Sequence, residues 1–177
     1  MKFLKRILQV IVVLVLVFVV GAFLLPREIA VSRTASIAAP PEKIFPLVNS
    51  MKSTEQWSPW MTKDPAIKLT YSGPEMGVGN TLEWVSDVPE VGVGSQVITA
   101  STTNERVETA LDFGAMGKAN AYFDLAKSQG GTELTWGFVT DAGYNPMARW
   151  MGLMMDRFVG ADYEVGLENI KALAEKN

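Results

Sequence analysis

The side chains that most often carry catalysis are missing from this 177-residue chain, which contains neither histidine nor cysteine. Without histidine there is no Ser-His-Asp triad and no imidazole zinc ligand, and the side chain best suited to proton transfer near neutral pH is missing. Without cysteine there is no thiolate nucleophile, disulfide framework or thiolate metal site. Acid–base work is left to carboxylates and phenols. Asp162 falls roughly 40–60° from the centre of an apolar helix face by 3.6-residue spacing. A carboxylate there could bind a ligand hydroxyl, or exchange a proton if burial raised its pKa. A rim position in water is the plainer reading, because aspartate is seldom buried unpaired. Arg106, Arg149 and Arg157 read as solvated, and none is singled out for an anionic group. No catalytic residue is assigned.

The richer signal is apolar. Trp57 and Trp60 fall in a Trp-Ser-Pro-Trp run, while Tyr71, Trp84, Phe113, Tyr122 and Trp136 fall in strand-like segments. Met151, Met154, Met155 and Phe158 belong to the last helix. Methionine adapts to irregular apolar shapes, so this set predicts the lining of a hydrophobic ligand site. Core filling is the alternative for any one of them. Strand alternation separates Tyr122 from Ala121 and Phe123, and the sequence leaves open which of them faces inward.

Other chemistries find no support. Gly77-Val78-Gly79 and Gly92-Val93-Gly94 each precede a strand, whereas a dinucleotide fingerprint needs glycines between a strand and a helix N-terminus. No Asp-rich calcium loop occurs, so no metal and no cofactor is expected. With Lys2, Lys5 and Arg6 counted apart, 13 basic residues face 19 acidic ones from Arg27 onward, a net −6. So acidic a region is a poor partner for nucleic acid.

Two segments hold these residues. Ile7 to Leu25 is apolar except for Gln9 and is long enough to cross a bilayer as a helix. It exceeds the apolar core of a cleavable signal peptide and lacks a good cleavage site, so residues 1–26 are expected to form an uncleaved anchor. Basic residues in front of it place the N-terminus in the cytoplasm. The domain, residues 27–177, is then extracytoplasmic, or periplasmic in a bacterium. Within that domain, 29–37 reads as a strand and Pro40-Pro41-Glu42 as a helix start, kept short by Pro46. Strands follow near 67–72, 79–86, 93–101, 106–113, 118–127 and 132–140, separated by glycine-rich turns. Asn145 and Pro146 open a long helix reaching Lys176, with Met147, Trp150, Met151, Met154, Phe158, Ala161 and Val165 on one face. That face is expected to meet the sheet. Gly152, Gly160 and Gly166 weaken the helix by roughly 1 kcal/mol each against alanine, to be offset by close packing or bending. The fold class is therefore α+β: a curved antiparallel sheet of about seven strands, one long C-terminal helix and one N-terminal transmembrane helix.

The order of elements resembles the polyketide cyclase/dehydrase-like branch of the SRPBCC superfamily, the START-like helix-grip fold. The resemblance covers about residues 31–175. It rests on Val31-Ser32-Arg33 leading into Ile37 through Phe45, on Trp57-Ser58-Pro59-Trp60, and on Gly73-Pro74 with Gly77-Val78-Gly79. Gly131-Thr132-Glu133-Leu134-Thr135-Trp136 and Gly160 through Leu167 complete it. It implies a cavity between sheet and helix that holds a lipid or another apolar small molecule. No universal catalytic motif comes with it. The leading expectation is thus a membrane-anchored binding module, tethered through residues 7–25. The alternative is a cyclase- or dehydratase-type enzyme working with Asp and Tyr groups. A third reading is a scaffold whose cavity is closed by its own aromatic side chains. Protein partners are left unassigned.

Overall fold

The computed structural model describes residues 2–176; Met1 and Asn177, the outer ends of the two expected segments, lie outside it, as does the side chain of Lys2. The helix α1 (Lys2–Leu24) is followed by strand β1 (Glu28–Ile37), α2 (Pro41–Val48), a 3-10 turn (Lys52–Gln56) and α3 (Pro59–Lys63). Strands β2 (Lys68–Ser72), β3 (Thr81–Val85), β4 (Val93–Thr102), β5 (Arg106–Asp112), β6 (Lys118–Ser128) and β7 (Gly131–Asp141) come next, and α4 (Pro146–Ala174) ends the chain. The strands form one antiparallel sheet in the order β1-β7-β6-β5-β4-β3-β2. This is the α+β helix-grip architecture that the sequence predicts, with the 3-10 turn and α3 added between α2 and β2.

Alternation fixes the inner face. On β6, Ala119, Ala121, Phe123 and Leu125 are buried, and on β7 Thr132, Leu134, Trp136 and Phe138 meet them. Each strand hides every second residue, as a sheet covered on one side must. A bulge between Ile98 and Ala100 resets β4, so that Ile98 and Ser101 both pair with inner residues. Of the Gly-x-Gly pairs, Gly77, Gly79 and Gly92 have positive φ and serve turns, while Gly94 lies in β4 directly beneath the Trp84 ring.

Helix α4 begins as expected, with the Asn145 side chain accepting from the amides of Met147 and Ala148. The face it turns to the sheet is the other one. Met147, Met151, Met154, Phe158, Ala161 and Val165 point away from the domain. Toward the sheet lie Met155, Val159, Gly160, Tyr163, Gly166, Leu167, Ile170 and Ala174, roughly 140° around the helix. Steric fit explains the reversal. The inner face already carries Trp136 and Phe123, so the helix that fits offers glycine, not methionine, at the points of nearest approach. A Cβ at Gly166 would come within 2.6 Å of the Trp136 ring, and one at Gly152 within 2.7 Å of Ile29. Gly160 leaves room for the Arg33 guanidinium. Arg33, on β1, donates to Asp156 and to Glu164 at 2.8 Å each, pinning the edge strand to the helix.

α1 is joined to the domain at its last two turns. Phe18 stacks on Trp150 with centroids 5.8 Å apart, and the indole N–H donates to the Phe18 carbonyl at 3.1 Å. Arg149, read above as solvated, is 8% exposed. It donates to the carbonyls of Gly143, at 2.8 and 3.0 Å, and of Leu25, at 3.2 Å, with its guanidinium over the Phe23 ring. Carbonyls and a ring face replace the carboxylate that a buried arginine usually needs.

Beside this joint, Arg27 grips Asp141 through two hydrogen bonds of 2.6 and 2.7 Å. The Arg27 guanidinium, aided by the Gly143 amide, holds the Asp141 carboxyl at about 2 against an ordinary 3.8. Because the folded pKa is depressed, the pair's contribution is complete above the unfolded pKa and is lost as pH falls through the folded one. Asp141→Asn is therefore expected to lower the urea midpoint by a small, constant amount above about pH 4–5, the effect shrinking toward pH 2. A difference that persisted unchanged at pH 2 would contradict this assignment.

Candidate functional site

Aromatic residues collect in two groups on the inner face. The first lies under the middle of α4. Trp136 stacks on Tyr163 at 3.8 Å and 8°, and on Phe123 at 5.1 Å. Trp57 meets both Trp136 and Phe123 edge-on, at 5.2 and 5.8 Å, and its indole N–H donates to the Leu47 carbonyl at 2.8 Å. Trp60 closes the group at its rim, edge-on to Trp136. Edge-to-face and offset contacts at these separations are the favourable arrangements for rings. Burial raises the Tyr163 hydroxyl above its ordinary range, so it stays a neutral phenol. These rings occupy the space where the cavity is expected.

The second group lies where α4 does not reach. The helix makes its main sheet contacts on β1 and, to a lesser extent, β7. On the inner face of β2 to β5, Leu82, Ile98, Val107 and Thr109 are buried, while Leu69, Tyr71, Trp84, Leu111 and Phe113 are only half-buried. Trp84 and Phe113 pack edge-to-face at 5.9 Å, and the Trp84 indole donates to the Val91 carbonyl. Met155 and Val159 of α4 are half-buried apolar residues on the helix side of the same core. Polar groups on this face are few and paired. Gln96 donates to Thr109 at 2.9 Å, and Tyr71 donates its hydroxyl to Glu55 at 2.8 Å. Burial, then the Glu55 carboxylate, pushes the Tyr71 phenol up, which makes it a hydrogen-bond donor rather than a base.

The sequence-derived set therefore divides. Trp57, Trp60 and Trp136 join the filled stack, and Tyr71, Trp84 and Phe113 form the half-covered face with Met155 beside them. Met151, Met154 and Phe158 are exposed on the far side of α4. Tyr122 lies on the outer face over Gly137, with the Arg106 guanidinium 4.8 Å from its ring centre. Asp162 sits on the rim, where Lys63 donates to it at 2.6 Å. Leu69, Leu111 and Val159 were not singled out from sequence, although Leu69 and Leu111 share strand parity with Tyr71 and Phe113. Two surface depressions lie elsewhere. One of about 360 Å³ is bounded by Ala38–Glu42 and the β6–β7 turn, and one of about 400 Å³ lies on α1 near Arg6 and Gln9.

Residues 28–175 match the family model described as polyketide cyclase / dehydrase and lipid transport. No curated protein sequence matches the chain. Among solved structures, a protein from Chromobacterium violaceum superposes with a TM-score of 0.61 at 14% identity, covering 84% of this chain and 99% of its own. A protein of unknown function from Staphylococcus aureus gives 0.63 at 12% identity, with 84% and 94% covered. The di-domain ARO/CYC protein BexL of the BE-7585A biosynthetic pathway gives 0.60 at 14% identity, over 85% of this chain and 51% of BexL. At these identities the similarity is one of fold.

Proposed function

The chain belongs to the polyketide cyclase / dehydrase and lipid transport family, and from that premise we propose that it is a membrane-anchored module binding a lipid or other apolar small molecule. The bound molecule lies against the inner face of β2–β5. One observation carries this reading: Leu69, Tyr71, Trp84, Leu111 and Phe113 form an apolar surface that α4 leaves half open. Burying such rings under a ligand contributes about 1.5–3 kcal/mol for each side chain fully covered. The Tyr71 hydroxyl supplies one orienting donor. α1, over Phe3–Leu24, has the length and composition of a membrane span, and a signal sequence would share those properties. As an anchor with its N-terminus in the cytoplasm, it holds the site beside a bilayer, so that an apolar ligand need not cross bulk water.

The test is to purify the full chain in mild detergent, exchange it extensively, and identify what stays bound by native mass spectrometry and organic extraction. A stoichiometric apolar molecule is expected, and Trp84→Ala or Phe113→Ala should weaken its rebinding by about tenfold or more. Rebinding unchanged in both variants would remove the site from β2–β5. Failure to bind any extracted lipid or apolar probe would remove the function. Chemistry on the bound molecule is the second reading, favoured by the Tyr71 hydroxyl on that surface and its hydrogen bond to the exposed Glu55 carboxylate. Extracted ligand incubated with the protein would then return chemically altered.

A further inference from the structure

The outward stripe of α4 has a surface to meet. Met147, Met151, Met154 and Phe158 are each more than half exposed, an unusual concentration of large apolar side chains on one helix end. Their position is set by α1. Trp150, among them in sequence, donates to the carbonyl of Phe18, six residues before the end of α1 at Leu24. At about 1.5 Å per residue, this contact lies about 9 Å back along the helix from its end. For a helix that spans a bilayer with its apolar run ending at Leu25, that depth lies in the outer part of the acyl region, just beneath the interface where tryptophan concentrates. Amphipathic helices lying in that interface bury their apolar faces by about 5–10 Å.

The joint also has little freedom to swing the domain away. Only Leu25, Pro26 and Arg27 separate α1 from β1, and Arg149 ties α4 to the Leu25 carbonyl. We infer that the first half of α4, from Met147 to Phe158, rests in the interface of the bilayer that α1 crosses, on the side where α1 ends. Met151 and Met154 reach the acyl boundary there. Arg157, exposed on the flank of the stripe, is positioned to meet lipid phosphate. The inference rests on the reading of α1 as an anchor. Given that reading, it states that the domain lies on the membrane and does not stand off from it.

Because the chain has no cysteine, one introduced cysteine carries a spin label at one known place. The full chain is reconstituted in phosphatidylcholine–phosphatidylglycerol vesicles with labels at Met151→Cys, Met154→Cys, Val13→Cys in α1 and Ser128→Cys at the far end of β6. Accessibility is read as the ratio of collisions with oxygen, which partitions into lipid, to collisions with a water-soluble nickel chelate. Ratios at 151 and 154 severalfold above that at 128 are expected, together with a high ratio at 13. A high ratio at 13 with 151 and 154 equal to 128 would overturn the inference and leave the anchor standing. A low ratio at 13 would remove the anchor, and the inference with it. Dipolar broadening at 151 without a gain in oxygen access would overturn it in favour of a second copy covering the stripe.

Discussion

Trp136→Ala is expected to lower the unfolding free energy by about 3–5 kcal/mol, a large share of the roughly 5–15 kcal/mol that holds a typical domain together. The side chain is 5% exposed and touches Trp57, Trp60, Phe123 and Tyr163. None of these rings can close the gap without leaving its own contacts. Denaturant unfolding in mild detergent gives the size of the loss; a value below about 1 kcal/mol would mean that the stack relaxes and is not a rigid filler. A second readout separates filled core from ligand space. An apolar cavity of this kind stays dry and accepts small aromatic molecules. Indole should therefore raise the variant's midpoint more than the parent's. Equal stabilisation of both would show that the space vacated by Trp136 does not persist as a binding cavity.

The glycines of α4 give the second large effect, and it is graded. At Gly166 an added methyl would meet the Trp136 ring, which is held on both faces by Tyr163 and Phe123. Overpacking of a fixed core commonly costs about 1–3 kcal/mol. Gly166→Ala should show that loss, less the roughly 1 kcal/mol by which alanine favours the helix. At Gly160 the neighbour is the end of the Arg33 side chain, which can move toward water if it releases Asp156 and Glu164. Those exposed pairs contribute little. Gly160→Ala should therefore be near neutral by the same unfolding measurement. Trp136→Phe should recover part of the Gly166→Ala loss, because the smaller ring vacates the contested space. Equal effects at 160 and 166 would mean that helix propensity, not the sheet contact, dominates at both.

The elements themselves were readable because each carries a local period. The β6 and β7 segments alternate cleanly, and Asn145-Pro146 is a helix start by chemistry alone. What sequence could not decide lay between elements. The helix α4 has two stripes at helical spacing, and the larger side chains drew the prediction to the wrong one. The tightness of the sheet beneath, which decides the matter, is a property of Trp136 and Phe123 on other strands. The side of Tyr122 likewise follows from its partner Gly137, fixed by register. Lys63 finds Asp162 across 99 residues, and Arg149 finds its acceptors at the end of another helix. Pairings of this range leave no mark in a single sequence.

The brevity of the link after α1 also limits the distance over which the protein can act. Three residues, even fully extended, reach about 10 Å, and Arg27 is further held by Asp141 and by a hydrogen bond from Ala142 to its carbonyl. Whatever plane holds α1 therefore holds the sheet, and the two diffuse together. If α1 is the anchor proposed above, exchange partners must come to that plane or already move within it, and the protein acts as a fixture whose encounters are lateral.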